Sequence, residues 1–373
     1  MLLSERMARS VMNRFGPDKV KWHYDHALVL QSIFLLGLQT GEDEFCRYVK
    51  SMYDEVISSS GGISGYREDE YNLDMINPGK TLFLLHEKYK SENYLIGIKQ
   101  LRVQLAKHPR TESGGFWHKK IYPYQMWLDG LYMQGPFYAQ YAAVLAEPEA
   151  AAADIADIEH QFTLIGSMAR DAKTGLLYHA WDESKKQKWA NPGTGCSPHF
   201  WGRALGWYCM ALADTLKFIP PSHEKTITAI SNIALGLLDP LMKYQDKKSG
   251  LWYQVLDMGG QEGNYTESSA SSMFVYFMAR MLRMGLINDE RKSIVKDAAL
   301  KAYKGLTDGK LQEDSSGFIH LNDTCRVAGL GGDPYRDGSY EYYIGEPKHA
   351  DDFKGDGAFI LASMEIERLT ENS

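Results

Sequence analysis

The feature of this sequence that most constrains its fold is a helical periodicity that runs almost from end to end. Apolar residues recur three and four positions apart, the spacing that places them on one face of an α-helix. Strand-like runs are short and confined to the connections, so the pattern predicts an all-α protein. We predict twelve helices, over residues 4–14, 25–39, 42–58, 74–89, 92–107, 124–146, 153–170, 199–218, 223–244, 266–286, 289–308 and 355–369.

The connections between these helices alternate between short and long. Those after the even-numbered helices are short, such as TGED from Thr40, whereas those after the odd-numbered helices are long and resemble one another. The long ones contain a Gly turn, an apolar pair and then a polar or aromatic residue, which predicts a small β-hairpin or extended flap. We align their glycines as Gly115, Gly175, Gly250 and Gly317. Such self-similarity predicts a repeated unit, here a helical hairpin of about 62 residues that occurs six times.

The helices also alternate in character. Odd-numbered helices are ordinary amphipathic segments, whereas even-numbered ones open with polar and aromatic clusters such as WHYDHALVL, YQMWLDGLYM and FWGRALGWY. Six outer and six inner helices make an (α/α)6 barrel, with the long flaps around the mouth of its cavity. No Pro- or Ser-rich linker divides residues 1–373, so we predict a single domain.

Charge and cysteine usage limit the classes of partner. The formal net charge is −7 and no basic run or stripe is present, which disfavours nucleic-acid binding. The cysteines have no metal-like spacing and no P-loop, HExxH or GxSxG motif occurs, so we predict neither a metal nor a cofactor. The N-terminus lacks the apolar core of a signal peptide, and no apolar run reaches membrane-span length. We expect a soluble, cytoplasmic monomer or homodimer with reduced thiols and no membrane contact.

Asp129 stands within PYQMWLDGLYMQGPF, where aromatic and apolar residues surround it. A buried carboxylate without a partner is costly, or it stays neutral by raising its pKa. An acid in such a setting suits proton transfer. The alternative is that Asp129 only stabilises the N-terminus of its helix.

The predicted barrel brings the starts of the inner helices to one face. Glycoside cleavage needs a proton donor, a group that activates water and a platform for the sugar ring. Asp129 is the first candidate for the acid/base and Asp74 the second, although Asp74 could simply cap its helix. The other candidates on this face and on the flaps are Trp22, His23, Tyr24, Asp25, Arg203, Trp207, Glu267, Asp356, Trp117, His118, His179 and Trp181.

Some of these candidates also have structural interpretations. His118 and His179 could be exposed loop residues, and Arg203 could only pair with an acid inside the barrel. Trp127 and Trp207 could be core residues. Their shared position at alternate helix starts favours a common site.

Five stretches resemble the unsaturated rhamnogalacturonyl hydrolases, glycoside hydrolase family 105. They read SGGFWHK, YPYQMWLDGLYM, GLLYHAWDE, TGCSPHFWGRALGWY and GDGAFILA, and the likeness extends over nearly the whole chain. The resemblance implies an (α/α)6 barrel that removes a terminal 4,5-unsaturated galacturonic acid from the oligosaccharides that pectin lyases release. It implies that Asp129 is the catalytic acid/base and Asp74 the second active-site acid. It places substrate contacts on Tyr24, His118, Trp127, His179, Arg203 and Trp207.

An unsaturated uronic acid carries an enol ether, so hydrolysis can begin with protonation of C4 and continue with attack of water on C5. One carboxyl group can make both proton transfers, which we assign to Asp129, with Asp74 in support. Arg203 would hold the substrate carboxylate, and rhamnose is the expected leaving sugar. If the Gly- and Tyr-rich segment 327–349 covers the cleft, it would influence which leaving sugar the enzyme accepts, and this sugar could then differ from rhamnose.

Three alternatives remain open. The first is an inverting glycosidase on the same barrel that uses Asp74 and Asp129 as separate base and acid. The second is an unsaturated glucuronyl hydrolase, and the third is a non-catalytic helical scaffold.

Overall fold

The repeated apolar spacing folds into helices that pack in two concentric rings. The structure, a computed structural model, describes residues 1–371. The outer ring consists of α1 (Leu3–Arg14), α3 (Asp43–Val56), α5 (Glu92–Lys107), α7 (Pro148–Met168), α9 (Glu224–Lys243) and α11 (Asp289–Gly309). The inner ring consists of α2 (Tyr24–Thr40), α4 (Gly79–Tyr89), α6 (Leu128–Val144), α8 (Gly202–Leu216), α10 (Ser268–Arg283) and α13 (Phe353–Glu371). All twelve predicted helices are present, and a short helix, α12 (Tyr340–Gly345), precedes the last of them.

The two rings differ in burial as the sequence pattern predicts. In the inner helix α8, fourteen of the fifteen residues are buried, whereas the outer helix α3 buries six of its fourteen. A helix that is apolar on nearly all sides must be enclosed by others. Each inner helix contacts the next, and α13 contacts α2, which closes the ring. The predicted (α/α)6 barrel is confirmed.

Two inner helices begin four or five residues later than predicted. α4 begins at Gly79 because Pro78 precedes it, and a proline disfavours helical geometry in the residue before it. The preceding residues Leu73–Met75 form a 3-10 turn, so the prediction that Asp74 lies at a helix start was wrong. α6 begins at Leu128 because Gln125–Trp127 form a strand, β1.

The flaps form less β-structure than predicted. Among the flaps that the structure describes, a hairpin ladder forms between β3 (Leu311–Glu313) and β4 (Ile319–Leu321), while four others have a single bridge within them, Arg110 to Phe116, Arg170 to Leu177, Tyr253 to Thr266 and Ile57 to Ile63. The left-handed glycine of the flap that Arg110 and Phe116 bridge is Gly114, so the alignment on Gly115 was one residue off.

Two further ladders join segments that are distant in sequence. β1 pairs antiparallel with β2 (Ala180–Asp182), and β5 (Thr324–Cys325) pairs with β6 (Lys348–His349). The first of these ladders connects two different flaps across the mouth of the barrel. Such pairing fixes the flaps relative to one another.

Two further properties concern the cysteines and the hydropathy of the helices. The four cysteines are buried and unpaired in the part of the chain that the structure describes. Between residues 1 and 371, no helix has both the length and the apolar character needed to cross a membrane.

Close packing between α11 and the flap at residues 244–267 generates a prediction about Gly305. A Cβ added there would lie 2.0 Å from the carbonyl oxygen of Ser249, a backbone atom that cannot rotate away. We expect Gly305→Ala to lower the free energy of unfolding by about 1–3 kcal/mol, although Ala is the better helix former. Urea denaturation measures the change.

Gly309→Ala, in the same helix, is the matched control. No atom among the described residues lies within 4 Å of its added Cβ, so this variant should be neutral or slightly more stable. Equal effects of the two substitutions would contradict the packing of α11 on the flap.

Candidate active site

A cavity of about 570 Å³ opens at the end of the barrel where the inner helices begin. We call it the upper cavity. This volume lies within the usual range for small-molecule sites. Residues of α2, α6 and α13 line it together with the flaps. Its charged residues come in both signs, with acids at Asp25, Asp74, Asp129 and Asp352 and bases at Lys119, Arg326, Arg336 and Lys354.

Asp129 is the second residue of α6, and the β1–β2 ladder determines its surroundings. Trp127 pairs with Ala180 across the ladder, which brings Asp129 and His179 side by side. Asp129 Oδ2 lies 3.3 Å from His179 Nε2, but the contact lacks hydrogen-bond geometry. Both atoms are buried and have no hydrogen-bond partner among the described residues. Asp129 Oδ2 is therefore not committed to a hydrogen bond with another described residue.

His179 is fully buried behind Asp129. The hydroxyl of Tyr343, in α12, lies 2.8 Å from its Nδ1. That contact fixes the ring orientation, so Nε2 faces the carboxyl group. α12, which lies within the segment 327–349, therefore helps to determine the environment of Asp129.

Asp74 lies on the 3-10 turn that precedes α4, and it is paired with a lysine. A β-bridge between Asn72 and Lys119 brings Lys119 Nζ to 2.6 Å from Asp74 Oδ2. Burial raises the pKa of Asp74, but the charge of Lys119 and its hydrogen bond to the carboxylate outweigh the effect of burial and hold the pKa below its usual value. Asp74 is therefore a carboxylate at neutral pH.

Three flat rings form one wall of the upper cavity. Trp127 stacks on His118 with ring centroids 4.6 Å apart, and Tyr122 stacks on Trp127 at 4.8 Å. Burial lowers the pKa of His118 to about 4, although Asp74 opposes the shift, so the imidazole is neutral at pH 7. All three rings line the upper cavity, where aromatic surface suits the packing of a sugar ring.

Tyr24 also lines the upper cavity, at the start of α2. Burial raises its pKa well above the usual value, and Asp74 adds to the shift. Trp207 lies behind Tyr24, with ring centroids 6.2 Å apart, and is almost fully buried. It supports the wall without facing the cavity.

Arg203 is fully buried and lies outside the wall of the upper cavity. Its Nη2 donates to the carbonyl oxygen of Cys325, and its guanidinium lies 5.4 Å from the Trp201 ring. Burial lowers the pKa of Arg203, but the Glu267 carboxylate outweighs it and raises the pKa. Its Nε and Nη1 have no hydrogen-bond partner among the described residues.

Sequence reasoning missed the bases of the long connection between α11 and α13. Arg326 and Arg336 line the upper cavity, and Arg336 Nη2 donates to the Tyr122 hydroxyl at 2.9 Å. Val327 and Ala328 line the same side. The segment 327–349 thus does contribute to the cavity wall. It lacks helical periodicity, so no repeat-based signal could have placed it.

Comparison with known proteins agrees with this geometry. A family model described as Glycosyl Hydrolase Family 88 matches residues 3–370. A solved structure of a family 105 glycoside hydrolase from C. acetobutylicum ATCC 824 is 43% identical and has a TM-score of 0.94, covering 99% of this chain and 100% of that one.

Two curated proteins are also similar. Protein Atu3128 of Agrobacterium fabrum is 39% identical over 232 residues, which are 62% of this chain and 96% of that protein. The unsaturated rhamnogalacturonyl hydrolase YesR of Bacillus subtilis is 28% identical over 282 residues, covering 73% of this chain and 75% of that protein.

The buried, neutral His118 generates a prediction about stability and pH. Its pKa is about 4 in the folded protein, against 6.5 for an unperturbed histidine. Between these values the unfolded state binds more protons, so the free energy of unfolding falls as the pH falls. This residue alone should lower it by about 2 kcal/mol between pH 7 and pH 5.

His118→Phe keeps an aromatic ring against Trp127 and cannot titrate. Urea denaturation at both pH values should show a smaller loss of stability in this variant than in the wild type. The same loss in both proteins would contradict a neutral, buried His118.

Proposed function

The chain belongs to glycosyl hydrolase family 88, and from that membership we propose that it removes a terminal 4,5-unsaturated galacturonic acid from the products of rhamnogalacturonan I lyases. The chain is a glycoside hydrolase, hence an enzyme, and its likeness to the C. acetobutylicum protein also assigns it to family 105. The relative that is named as an unsaturated rhamnogalacturonyl hydrolase supports the choice of substrate.

The observation that carries the proposed mechanism is the unequal state of two carboxyl groups in one cavity. Asp74 is held as a carboxylate by Lys119, while Asp129 keeps one oxygen without a hydrogen-bond partner in the described part of the chain. A carboxylate with a lowered pKa is a weak base and cannot donate a proton at neutral pH. Asp129 is therefore the better candidate for both proton transfers, and Asp74 for a supporting role.

The reaction begins at the C4=C5 double bond. Asp129 donates a proton to C4, and positive charge develops on C5 and the ring oxygen. Water attacks C5 and gives its proton to the Asp129 carboxylate, which restores the acid. The resulting hemiketal opens by cleavage of the C5–ring oxygen bond. This gives a ketone at C5 and a hemiacetal at C1, which releases the leaving sugar as a free alcohol, with one water consumed overall.

The remaining side chains would bind and orient the substrate. The Trp127–His118 stack would support the sugar ring, and Asp74 would stabilise the positive charge at C5. Arg203 lies outside the wall of the upper cavity, so its contact with the substrate carboxylate stays a prediction. Arg326 and Lys354, which line the upper cavity directly, are added as candidates.

The leaving sugar decides the substrate class. Elimination at C4 removes the stereocentre that distinguishes galacturonate from glucuronate, so both give the same unsaturated group. The enzyme can therefore distinguish substrates of these two origins only by the second sugar. Val327 and Ala328 present apolar atoms at the cavity wall, and Val327 is 44% exposed. They match the 6-methyl group of rhamnose better than a sulfated or acetylated amino sugar.

The expected setting of the reaction follows from the same residues. Four buried thiols support a cytoplasmic location. α13 packs against both α1 and α2, which supports a single domain over residues 1–373. We propose that the partner is a small oligosaccharide, with unsaturated galacturonyl-rhamnose as the preferred disaccharide.

Asp129→Asn tests the catalytic assignment. The amide keeps the shape of the side chain but cannot donate the proton, so turnover of unsaturated galacturonyl-rhamnose should fall by about 10²–10⁴-fold or more, while binding persists. Loss of the ultraviolet absorbance of the double bond measures turnover, and calorimetry measures binding.

Asp352→Asn, in the same cavity, is the matched control, because Asp352 is paired with Lys354. It should reduce turnover by less than tenfold. An Asp129→Asn enzyme that keeps more than a tenth of wild-type turnover would exclude Asp129 as the acid.

A pair of disaccharides tests the leaving sugar. We expect kcat/KM to be at least about 100-fold higher for unsaturated galacturonyl-rhamnose than for an unsaturated uronyl–amino sugar. The 6-methyl group of rhamnose gains an apolar contact with Val327 and Ala328, and the amino sugar fits this wall less well. Val327→Asn should narrow this ratio, mainly by slowing the rhamnose substrate. Similar rates on both disaccharides in the wild type would mean that the enzyme does not select rhamnose.

A further inference from the structure

A second cavity, of about 530 Å³, lies at the opposite end of the barrel, where the inner helices end. We call it the lower cavity. Its wall includes Gln39 near the end of α2, Phe218 just after α8 and Arg368 near the end of α13. Tyr24 and Gln39 mark the two ends of α2, about 22 Å apart along the helix. The core of the barrel therefore separates the lower cavity from the upper one.

Lys80 is the most buried basic group among those that line the lower cavity. It is 2% exposed, and its Nζ has no hydrogen-bond partner among the described residues. The Nζ lies 3.4 Å from the centre of the Tyr132 ring. Burial lowers the pKa of Lys80 to about 7, although Asp214 opposes the shift. A buried amine without an anionic partner is costly to the fold.

The position of Lys80 in its helix gives no structural reason for a positive charge. It is the second residue of α4, and the first turn of a helix favours anions over cations. The contact with Tyr132 compensates only part of the lost hydration. The side chain lines the cavity, where an anion entering from solvent would meet it.

The arginines of the lower cavity have a partial structural explanation. Arg280, Arg283 and Arg368 all donate to Glu365, at 3.2, 2.6 and 2.8 Å. They occupy the last turns of α10 and α13, where cations offset the helix dipole. One carboxylate nevertheless serves three guanidinium groups.

The lower cavity as a whole carries an excess of positive charge. Within residues 1–371, five basic side chains line it, against the two acids Asp214 and Glu365. Asp214 already accepts a 2.5 Å hydrogen bond from the Tyr276 hydroxyl. Neither acid forms a hydrogen bond with Lys80 Nζ, which has no such partner among the described residues.

The size and the apolar part of the wall indicate the class of ligand. The volume suits a molecule of about monosaccharide size, and Leu35, Leu84, Leu361 and Met364 contribute apolar surface. We propose that the lower cavity binds a small organic anion, a carboxylate or a phosphate monoester on a sugar-sized body, with Lys80 as its deepest contact. This site is separate from the proposed active site and does not depend on the substrate assigned there.

Isothermal titration calorimetry with three sugars of similar size tests the proposal. Galacturonate represents the carboxylates and glucose 6-phosphate the phosphate esters, while galactose is the uncharged control. We expect at least one of the two anions to bind with a Kd below about 1 mM and galactose not to bind in the lower cavity. The stronger of the two identifies the ligand chemistry.

Two variants assign the binding to one cavity. Lys80→Met removes the charge and keeps the apolar stem, so it should weaken anion binding at least about tenfold. Lys119→Met, in the upper cavity, should leave that binding event unchanged. Asp214→Asn removes a negative charge that repels the anion, so it should lower the Kd of the anion severalfold.

The stability of Lys80→Met separates a ligand-binding role from a structural one. Removal of a buried charge without an anionic partner should leave the melting temperature of the ligand-free protein equal or higher. The proposal is overturned if neither anion binds the wild type, if Lys80→Met binds the anion as the wild type does, or if its melting temperature falls by several degrees.

Discussion

Helices that are apolar on nearly all sides can be buried only when other helices surround them. In this chain α6, α8, α10 and α13 bury most of their residues, and the rest of the structure depends on their enclosure. A closed inner ring leaves its two ends as the places where polar side chains can meet solvent. The upper cavity lies where the inner helices begin, and the lower cavity lies where they end.

The ring of helices brings the active-site side chains to one end of the barrel, and pairing between the flaps determines which neighbours each side chain has. The Asn72–Lys119 bridge places a cation on Asp74, while the Trp127–Ala180 pair places His179 beside Asp129. Two aspartates of one cavity thus have different environments. Asp74 forms an ion pair with a lysine, whereas Asp129 has an oxygen without a hydrogen-bond partner among residues 1–371. Different roles for two chemically identical side chains arise from such differences in charge and hydrogen bonding.

The helices that repeat along the chain were predicted from the sequence, whereas the conformations of the irregular segments were not. Twelve helices, the ring and the position of Asp129 follow from spacing that recurs in every hairpin. The displacement of Asp74 onto a turn depends on Pro78, a local feature that the helical pattern conceals. Arg336 and Tyr343 lie in the irregular connection before α13, where tertiary contacts determine the conformation. The environment of Arg203 could not be predicted either, because it depends on Cys325 from a distant strand.

The central claim is that one carboxyl group protonates carbon rather than the glycosidic oxygen. Reaction of unsaturated galacturonyl-rhamnose in D₂O, followed by NMR or mass spectrometry of the uronic product, tests it most directly. The account predicts deuterium on C4 of that product and no cleavage of the saturated galacturonyl-rhamnose. Cleavage of the saturated sugar at a comparable rate, with no deuterium on C4, would contradict it. Asp74 and Asp129 would then act as separate base and acid of an inverting glycosidase.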